Sequence, residues 1–311
     1  MTADSEGHRA VLVEELLEHL DLKQSNKVID ATFGFGGHGR SVLQSLGPTG
    51  CLYGFEKDPA VYARALEEFQ AEDRVHIYNR SYHHLSRVAE AEGIEAVDAI
   101  YFDLGICSFH LEESGRGFSF QNEGEPFDCR FDPDSSTPAA SEILNNAAPG
   151  ELRRILVQNG EVRRPKRIVS ALLDARPLKK VGEVKEAVEK VVYPPHRRGE
   201  LARVFQAFRV EVNEELARLA DSLDQALQLL EPGGRLAVIS FHSLEDRIVK
   251  KFFRRQSKSC VCPPELPVCA CEKEKKCSVV TQSPVQPGKE EIEENPRARS
   301  AKLRVAEKTF K

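Results

Sequence analysis

No run of about eighteen apolar residues, the length a membrane-spanning helix needs, occurs anywhere in the 311-residue chain. The opening Met1-Thr-Ala-Asp-Ser-Glu6 lacks both the basic and the apolar stretch of an export signal. A helical membrane anchor is therefore not expected, and the cytoplasm is the expected compartment. No internal repeat is found, so the chain reads as one large or two modest globular domains. A general excess of positive charge is lacking too, the net charge being −5. Charge is nevertheless uneven: residues 151–210 carry 15 Lys and Arg against 7 Asp and Glu. That segment is a candidate nucleic-acid face, a set of solvated helix surfaces being the alternative. Cysteine is sparse through most of the chain. Cys51, Cys107 and Cys129 read as scattered buried thiols, whereas Cys260, Cys262, Cys269, Cys271 and Cys277 crowd into one late segment.

What is present is organised around Asp30-Ala-Thr-Phe-Gly-Phe-Gly-Gly-His-Gly39. An apolar strand ends in an acid, four glycines follow within six positions, and a helix-compatible segment begins near Ser41. Glycine suits a turn that needs positive φ and lets a ligand reach the main chain. The helix N-terminus behind it offers free N–H groups to an anionic group. Gly34-x-Gly36-x-x-Gly39 also matches the dinucleotide fingerprint, with Glu56 at the ribose-binding spacing. Asp30 separates the two readings. An acid at the strand tip suits a cationic ligand, so S-adenosylmethionine, with its sulfonium and ammonium, is favoured over NAD. Glu56 is then placed to accept hydrogen bonds from ribose hydroxyls. A glycine turn without a ligand is the bland alternative.

Strands and helices alternate from residue 28 to 103, the pattern of a mostly parallel sheet with helices on both faces. Right-handed crossovers bring the glycine turn, Glu56, Tyr82 and Asp103 to one edge of that sheet. The alternation then stops. Residues 104–134 form a long polar and aromatic loop, and the apolar spacing predicts helices over 139–146, 151–159, 165–173, 181–191 and 201–229. The sheet resumes at 234–240 after the Pro232-Gly-Gly234 turn, and 300–306 alternate as an edge or hairpin strand would. The expected organisation is a discontinuous domain, 1–110 with 212–311, interrupted by a mostly helical substrate-recognition insertion, 111–211. Residues 257–295, rich in Cys, Pro and charge, are expected to be a surface excursion.

Six blocks, in this order, resemble the bacterial 16S rRNA cytosine-N4 methyltransferase family. They are Asp30-Ala-Thr-Phe-Gly-x-Gly-Gly-His38, Phe102-Asp-Leu-Gly105, Arg116-Gly-Phe-Ser-Phe120, Phe205-Gln-Ala-Phe-Arg209 with Val212-Asn213, Val238-Ile-Ser-Phe-His-Ser-Leu-Glu-Asp-Arg247 and Asn295-Pro-Arg-Ala-Arg-Ser-Ala-Lys-Leu-Arg304. The resemblance implies a class I, Rossmann-like S-adenosylmethionine-dependent enzyme that methylates the exocyclic amine of a cytidine in the P site of the small ribosomal subunit. It places the cofactor on Gly36, Gly37, His38, Glu56, Tyr82, Asp103 and His110. Three of these depart from the family's usual residues: Glu56 stands for Asp, Tyr82 for Phe, and His110 for the Gln of a Ser-Ser-Pro-Gln run that here reads Cys107-Ser-Phe-His110. The Asp/Asn-Pro-Pro-Tyr/Phe signature of DNA amino-methyltransferases is absent, the strand tip reading Asp103-Leu-Gly-Ile106.

Cytosine N4 is a poor nucleophile because its lone pair is delocalised into the ring. An enzyme must orient it and place acceptors on its N–H bonds. Asp103 is the first candidate catalytic carboxylate, a purely cofactor-binding role being the alternative. His242, with Glu245 and Asp246, forms the second group. The same run also reads as a helix cap, with Ser243 at N-cap and Asp246 at N3. Phe118 and Phe120 read either as base-stacking aromatics or as core, and Arg163-Arg-Pro-Lys-Arg167 with His196-Arg-Arg198 as phosphate contacts. Independently of the resemblance, Cys260-x-Cys262 and Cys269-x-Cys271 offer four thiolates to a structural zinc, with Cys277 as a spare. Disulfides or thiols in a mobile loop are the alternatives.

Overall fold

The computed structural model describes residues 10–23, 26–260, 262, 271 and 273–310. The chain divides into two compact units, Met1–Gly105 with Arg218–Lys311, and Ile106–Ala217. The expected cuts at 110/111 and 211/212 would have passed through two helices, Ser108–Glu112 and Arg197–Asn213. Among the described residues no helix is long and apolar enough to cross a membrane.

The first unit holds a seven-stranded sheet. Its strands are β1 (Lys27–Asp30), β2 (Cys51–Phe55), β3 (Val75–Tyr78), β4 (Val97–Asp103), β5 (Leu230–Ser240), β6 (Cys277–Val279) and β7 (Lys302–Lys308), in the spatial order 3-2-1-4-5-7-6. Strands β1 to β5 run parallel, while β7 is antiparallel to β5 and to β6. Helices cover both faces, so the central strands read as continuous apolar runs and alternate residues enter different cores. Ile29, Ile100, Phe102 and Val238 pack with α4 (Leu85–Glu92), α11 (Glu215–Leu229) and α12 (Ser243–Gln256). Val28, Ala99, Tyr101 and Ile239 pack on the opposite side with α1 (Val13–Leu20), α2 (Gly37–Ser45) and α3 (Pro59–Phe69). Strand order reverses between β1 and β4, and such a switch point opens a crevice at the carboxyl ends of the strands.

Three local expectations are corrected in this unit. The sheet resumes at Leu230, because residues 231–234 bulge out between the Leu230–Val97 and Arg235–Ala99 pairings. Strand β7 is interior, since β6, unforeseen inside the expected excursion, pairs along its far edge. Cys277 is no spare ligand: it is fully buried in β6, 3.9 Å from the Phe253 carbonyl.

The second unit is built from α5 (Ser108–Glu112), α6 (Ala140–Asn146), α7 (Pro149–Gln158), α8 (Pro165–Asp174), α9 (Val181–Val191) and α10 (Arg197–Asn213) around a core of its own. The helix expected over 201–229 breaks at Glu214, which turns left-handed with φ of 55°. Asn213 supplies the reason. Its side chain turns inward, donating to the Cys129 and Arg209 carbonyls at 2.7 and 2.9 Å and accepting from the Phe131 amide at 3.0 Å. The bonds to the Cys129 carbonyl and the Phe131 amide tie the last residue of α10 to the preceding loop.

Candidate active site

The turn after β1 is held by an aromatic ring. The Phe33 amide donates to the Phe55 carbonyl at 2.8 Å, and its ring lies on Gly54 of β2, where an added Cβ would come within 2.3 Å. Phe69 of α3 meets Phe33 edge to face at 5.2 Å and fills the space a Cβ on Gly36 would need. Gly36, at φ of 76°, is the N-cap of α2 and brings no side-chain cap. The first intrahelical bond runs from the Arg40 amide to the Gly36 carbonyl. The amides of Gly37, His38 and Gly39 thus lie in the first turn, where a helix supplies no partners of its own. This is a cradle for a carboxylate or phosphate.

Three carboxyls stand at the tips of β1, β2 and β4. Asp30 was expected to face a cation, but it is only 1% exposed. Its oxygens accept from the Tyr101 hydroxyl at 2.6 Å and the Thr32 amide at 3.0 Å. Burial pushes it up to about 6 against the pull of those two bonds. Asp30 is therefore a strut: it orients Thr32, whose hydroxyl accepts the Asp103 amide at 2.6 Å. Tyr101 and Thr32 escaped sequence reasoning. The one available signal was a hydroxyl in an otherwise apolar buried strand, which has to find a partner. Glu56, directly after β2, accepts from the Gly34 and Asp58 amides at 3.0 and 2.7 Å, and burial still raises it to about 7. It pins the glycine turn and keeps a second lone pair on each oxygen for a hydroxyl.

Asp103 is raised to about 7 by burial and then by the nearby Glu245 carboxylate. Its Oδ1 is shielded and, among the described residues, accepts no hydrogen bond. Its Oδ2 lies 3.4 Å from His38 Nδ1. The other His38 nitrogen is 2.8 Å from the Val11 carbonyl, which can only accept, so Nε2 carries the hydrogen. Burial holds His38 below its usual range, which leaves Nδ1 bare and facing the carboxyl. Two lone pairs would repel unless Asp103 keeps its proton. An underbonded acid whose proton affinity is raised toward neutrality is a group that an arriving positive charge shifts toward the carboxylate. With the open amides of α2, it makes the crevice fit a ligand that carries both a carboxylate and a cation.

Tyr82 lies beside this edge, its ring edge-on to Phe102 at 5.4 Å. His242 is the N-cap of α12, and the cap differs from the expected Ser243–Asp246 pair. His242 Nδ1 accepts from the Glu245 amide at 3.4 Å, and Glu245 accepts from the Phe241 and His242 amides at 2.9 and 3.2 Å. Asp246 instead binds Arg304 at 2.6 Å and ties α12 to β7. With Nδ1 accepting, neutral His242 carries its hydrogen on Nε2. That atom is buried 3.1 Å from Glu245 Oε1 but off the line of a hydrogen bond.

His110 belongs to the second unit. It is 5% exposed and caps α5, accepting the Cys107 amide at 3.2 Å. Its ring packs against Phe118 and Phe131 at 5.1 and 4.9 Å. Phe118 stacks on Phe131, whereas Phe120 meets Phe205 and packs against the core of the insertion. Cys129 is buried as expected, whereas Cys51 and Cys107 are only half-buried. The basic residues behave differently. Arg163, Arg164, Lys166, Arg167 and Arg198 are all exposed. Lys166 and Arg167 open α8, and Arg197 and Arg198 open α10. The two helix ends adjoin, the Arg163 amide donating to Glu200 of α10 at 3.3 Å. Cations at a helix N-terminus oppose its dipole, so the cluster is electrostatically frustrated until an anion arrives.

The sequence model of the MraW methylase family matches residues 5–309. "Ribosomal RNA small subunit methyltransferase H" of Heliobacterium modesticaldum is 42% identical over 310 residues, covering 97% of this chain and 98% of its own. The protein of that name from Thermomicrobium roseum is 44% identical over 311 residues, covering 98% and 94%. That of Carboxydothermus hydrogenoformans is 40% identical over 309 residues, covering 97% and 98%.

A carboxyl whose pKa is raised by folding binds more protons folded than unfolded. Its contribution to stability is full below about pH 4 and is lost as pH rises through about 7. Replacing Asp103 by Asn removes that loss. Between about pH 5 and pH 8, the Tm of ligand-free Asp103→Asn should improve relative to wild type. A Tm difference constant across the range would show that Asp103 is ionised throughout.

Proposed function

The chain belongs to the MraW methylase family, and on that premise we propose that it transfers a methyl group from S-adenosylmethionine to N4 of a cytidine in 16S rRNA. The target is placed in the P-site region by the six motif blocks alone, and the cytoplasm, where small subunits are found, is the place of action. The observation that carries the reading is Asp103: an acid at the switch point whose Oδ1 accepts no hydrogen bond among the described residues and which burial raises to about 7, beside the first-turn amides of α2.

In this reading Gly36, Gly37 and His38 receive the methionine carboxylate on main-chain N–H groups. Glu56 accepts the ribose hydroxyls, and the Tyr82 ring lies by the adenine. His110 is assigned to the cofactor by the motif blocks alone. When bound, S-adenosylmethionine supplies an electrophilic methyl group and a positive charge. Asp103 loses its proton in that field. Its carboxylate then accepts an N4–H bond, holds the amine lone pair toward the methyl, and takes the proton released as the N–C bond forms. His242, fixed at the cap of α12, is assigned to positioning the cytidine rather than to taking its proton. The cytidine has to be unpaired or flipped out to reach these groups. The paired basic helix ends of the insertion grip phosphates and position it.

Incubated with labelled S-adenosylmethionine and small-subunit rRNA or subunits, the protein should yield N4-methylcytidine on nucleoside digestion, with large-subunit rRNA inert. Asp103→Ala should lower the rate by about 10²-fold or more. Label on C5 or on adenine would overturn the assignment. Neutralising Arg163, Arg164, Lys166 and Arg167 together should weaken RNA binding and reduce the salt slope of log K by about 0.7–0.9 for each phosphate no longer neutralised. An unchanged slope would remove these helix ends from the interface.

A further inference from the structure

Methyl transfer leaves the late cysteines unexplained. Cys260 follows α12, and Cys271 stands six residues before β6. The Sγ atoms of Cys260, Cys262 and Cys271 all lie within 4.8 Å of one another. We propose that these three thiolates hold a structural zinc ion.

Cys260 Sγ and Cys271 Sγ are 3.8 Å apart. A disulfide requires about 2.05 Å. The edge of a tetrahedron with zinc–sulfur bonds of about 2.3 Å is about 3.8 Å, so the observed pair sits at the spacing a shared metal imposes. The Cys262 amide points at Cys260 Sγ at 3.4 Å, an outer-shell donor of the kind that stabilises a metal-bound thiolate. Lys258 and Lys273 are joined, the Lys273 ammonium donating to the Lys258 carbonyl at 2.9 Å, and Lys275 and Lys276 follow. Their positive charge offsets the negative charge that a thiolate-rich zinc site accumulates. An all-sulfur donor set selects zinc among the common divalent ions and leaves no open position for catalysis once a fourth thiol joins. The sequence offers Cys269 for that place, a residue outside the described ones.

The location also argues for structure over chemistry. The neck of the excursion is closed by the Lys276 amide on the Gln256 carbonyl at 2.8 Å, at the C-terminal end of α12. His242 caps the other end, and a helix of 14 residues is about 21 Å long. A metal here fastens a segment too poor in apolar residues to fold by burial, without touching the reacting atoms.

Full-length protein expressed without a metal-binding tag and purified without chelator should contain about one zinc per chain by elemental analysis. Titrating the thiols of the wild type with a mercurial should release that zinc stoichiometrically. Cobalt(II) substitution should give the sulfur-to-metal charge-transfer absorption of a tetrahedral thiolate site. Cys262→Ser and Cys271→Ser should lose the metal and expose the 257–276 segment to protease, while Cys51→Ser keeps both metal and protection. Metal-free wild type whose late thiols titrate freely, a Cys260–Cys271 disulfide in freshly reduced protein, or zinc retained by both serine variants would each overturn the site.

Discussion

Carboxyl groups buried or half-buried at the carboxyl ends of parallel strands, without a Lys or Arg partner among the described residues, are the constraint on which the rest of the molecule depends. Asp30, Glu56 and Asp103 are each raised toward neutrality by burial. A chain selected for stability alone would replace them or pair them with a base, because an underbonded acid in a shielded site costs free energy. Here the surroundings maintain the acidity. Tyr101 secures Asp30, Asp30 orients Thr32, Thr32 holds the Asp103 backbone, and His38 turns a bare nitrogen toward the Asp103 carboxyl. Phe33 and Phe69 meanwhile clamp the glycine turn. Groups fixed by one another in this way are preorganised, which is what electrostatic catalysis requires.

The insertion applies a related device to RNA. Placing Lys166, Arg167, Arg197 and Arg198 in the first turns of two adjoining helices stacks side-chain charge on the helix dipoles. Glu200, 6% exposed and joined to Arg203 at 2.8 Å, ties that corner together from beneath without neutralising its surface. The net charge of −5 over the whole chain keeps such attraction local, so affinity for phosphate is concentrated where the helix ends point.

Much of this was legible in the sequence because parallel sheets are covered on both faces and advertise themselves as apolar runs. Right-handed crossovers alone brought the glycine turn, Glu56, Tyr82 and Asp103 to one sheet edge. What escaped were features settled by a partner distant in sequence. Asp30 looked like a ligand contact because nothing in its neighbourhood reveals that Tyr101 claims it. The 201–229 helix looked continuous because the pull on Asn213 comes from Cys129 and Phe131, more than eighty residues away. The α12 cap moved by one residue because an imidazole took the place expected of a hydroxyl. Strand β6 was hidden by its brevity, three residues inside a segment whose composition reads as loop.

The central claim is that Asp103 and its neighbouring acids hold protons that a cationic ligand displaces. Calorimetry of S-adenosylmethionine binding near pH 6.5, repeated in buffers of different ionisation enthalpy, measures that displacement directly. Net proton release is expected, with affinity rising as pH increases toward about 7 and with less release in Asp103→Asn. Binding with no net proton exchange, or with proton uptake, would contradict the claim.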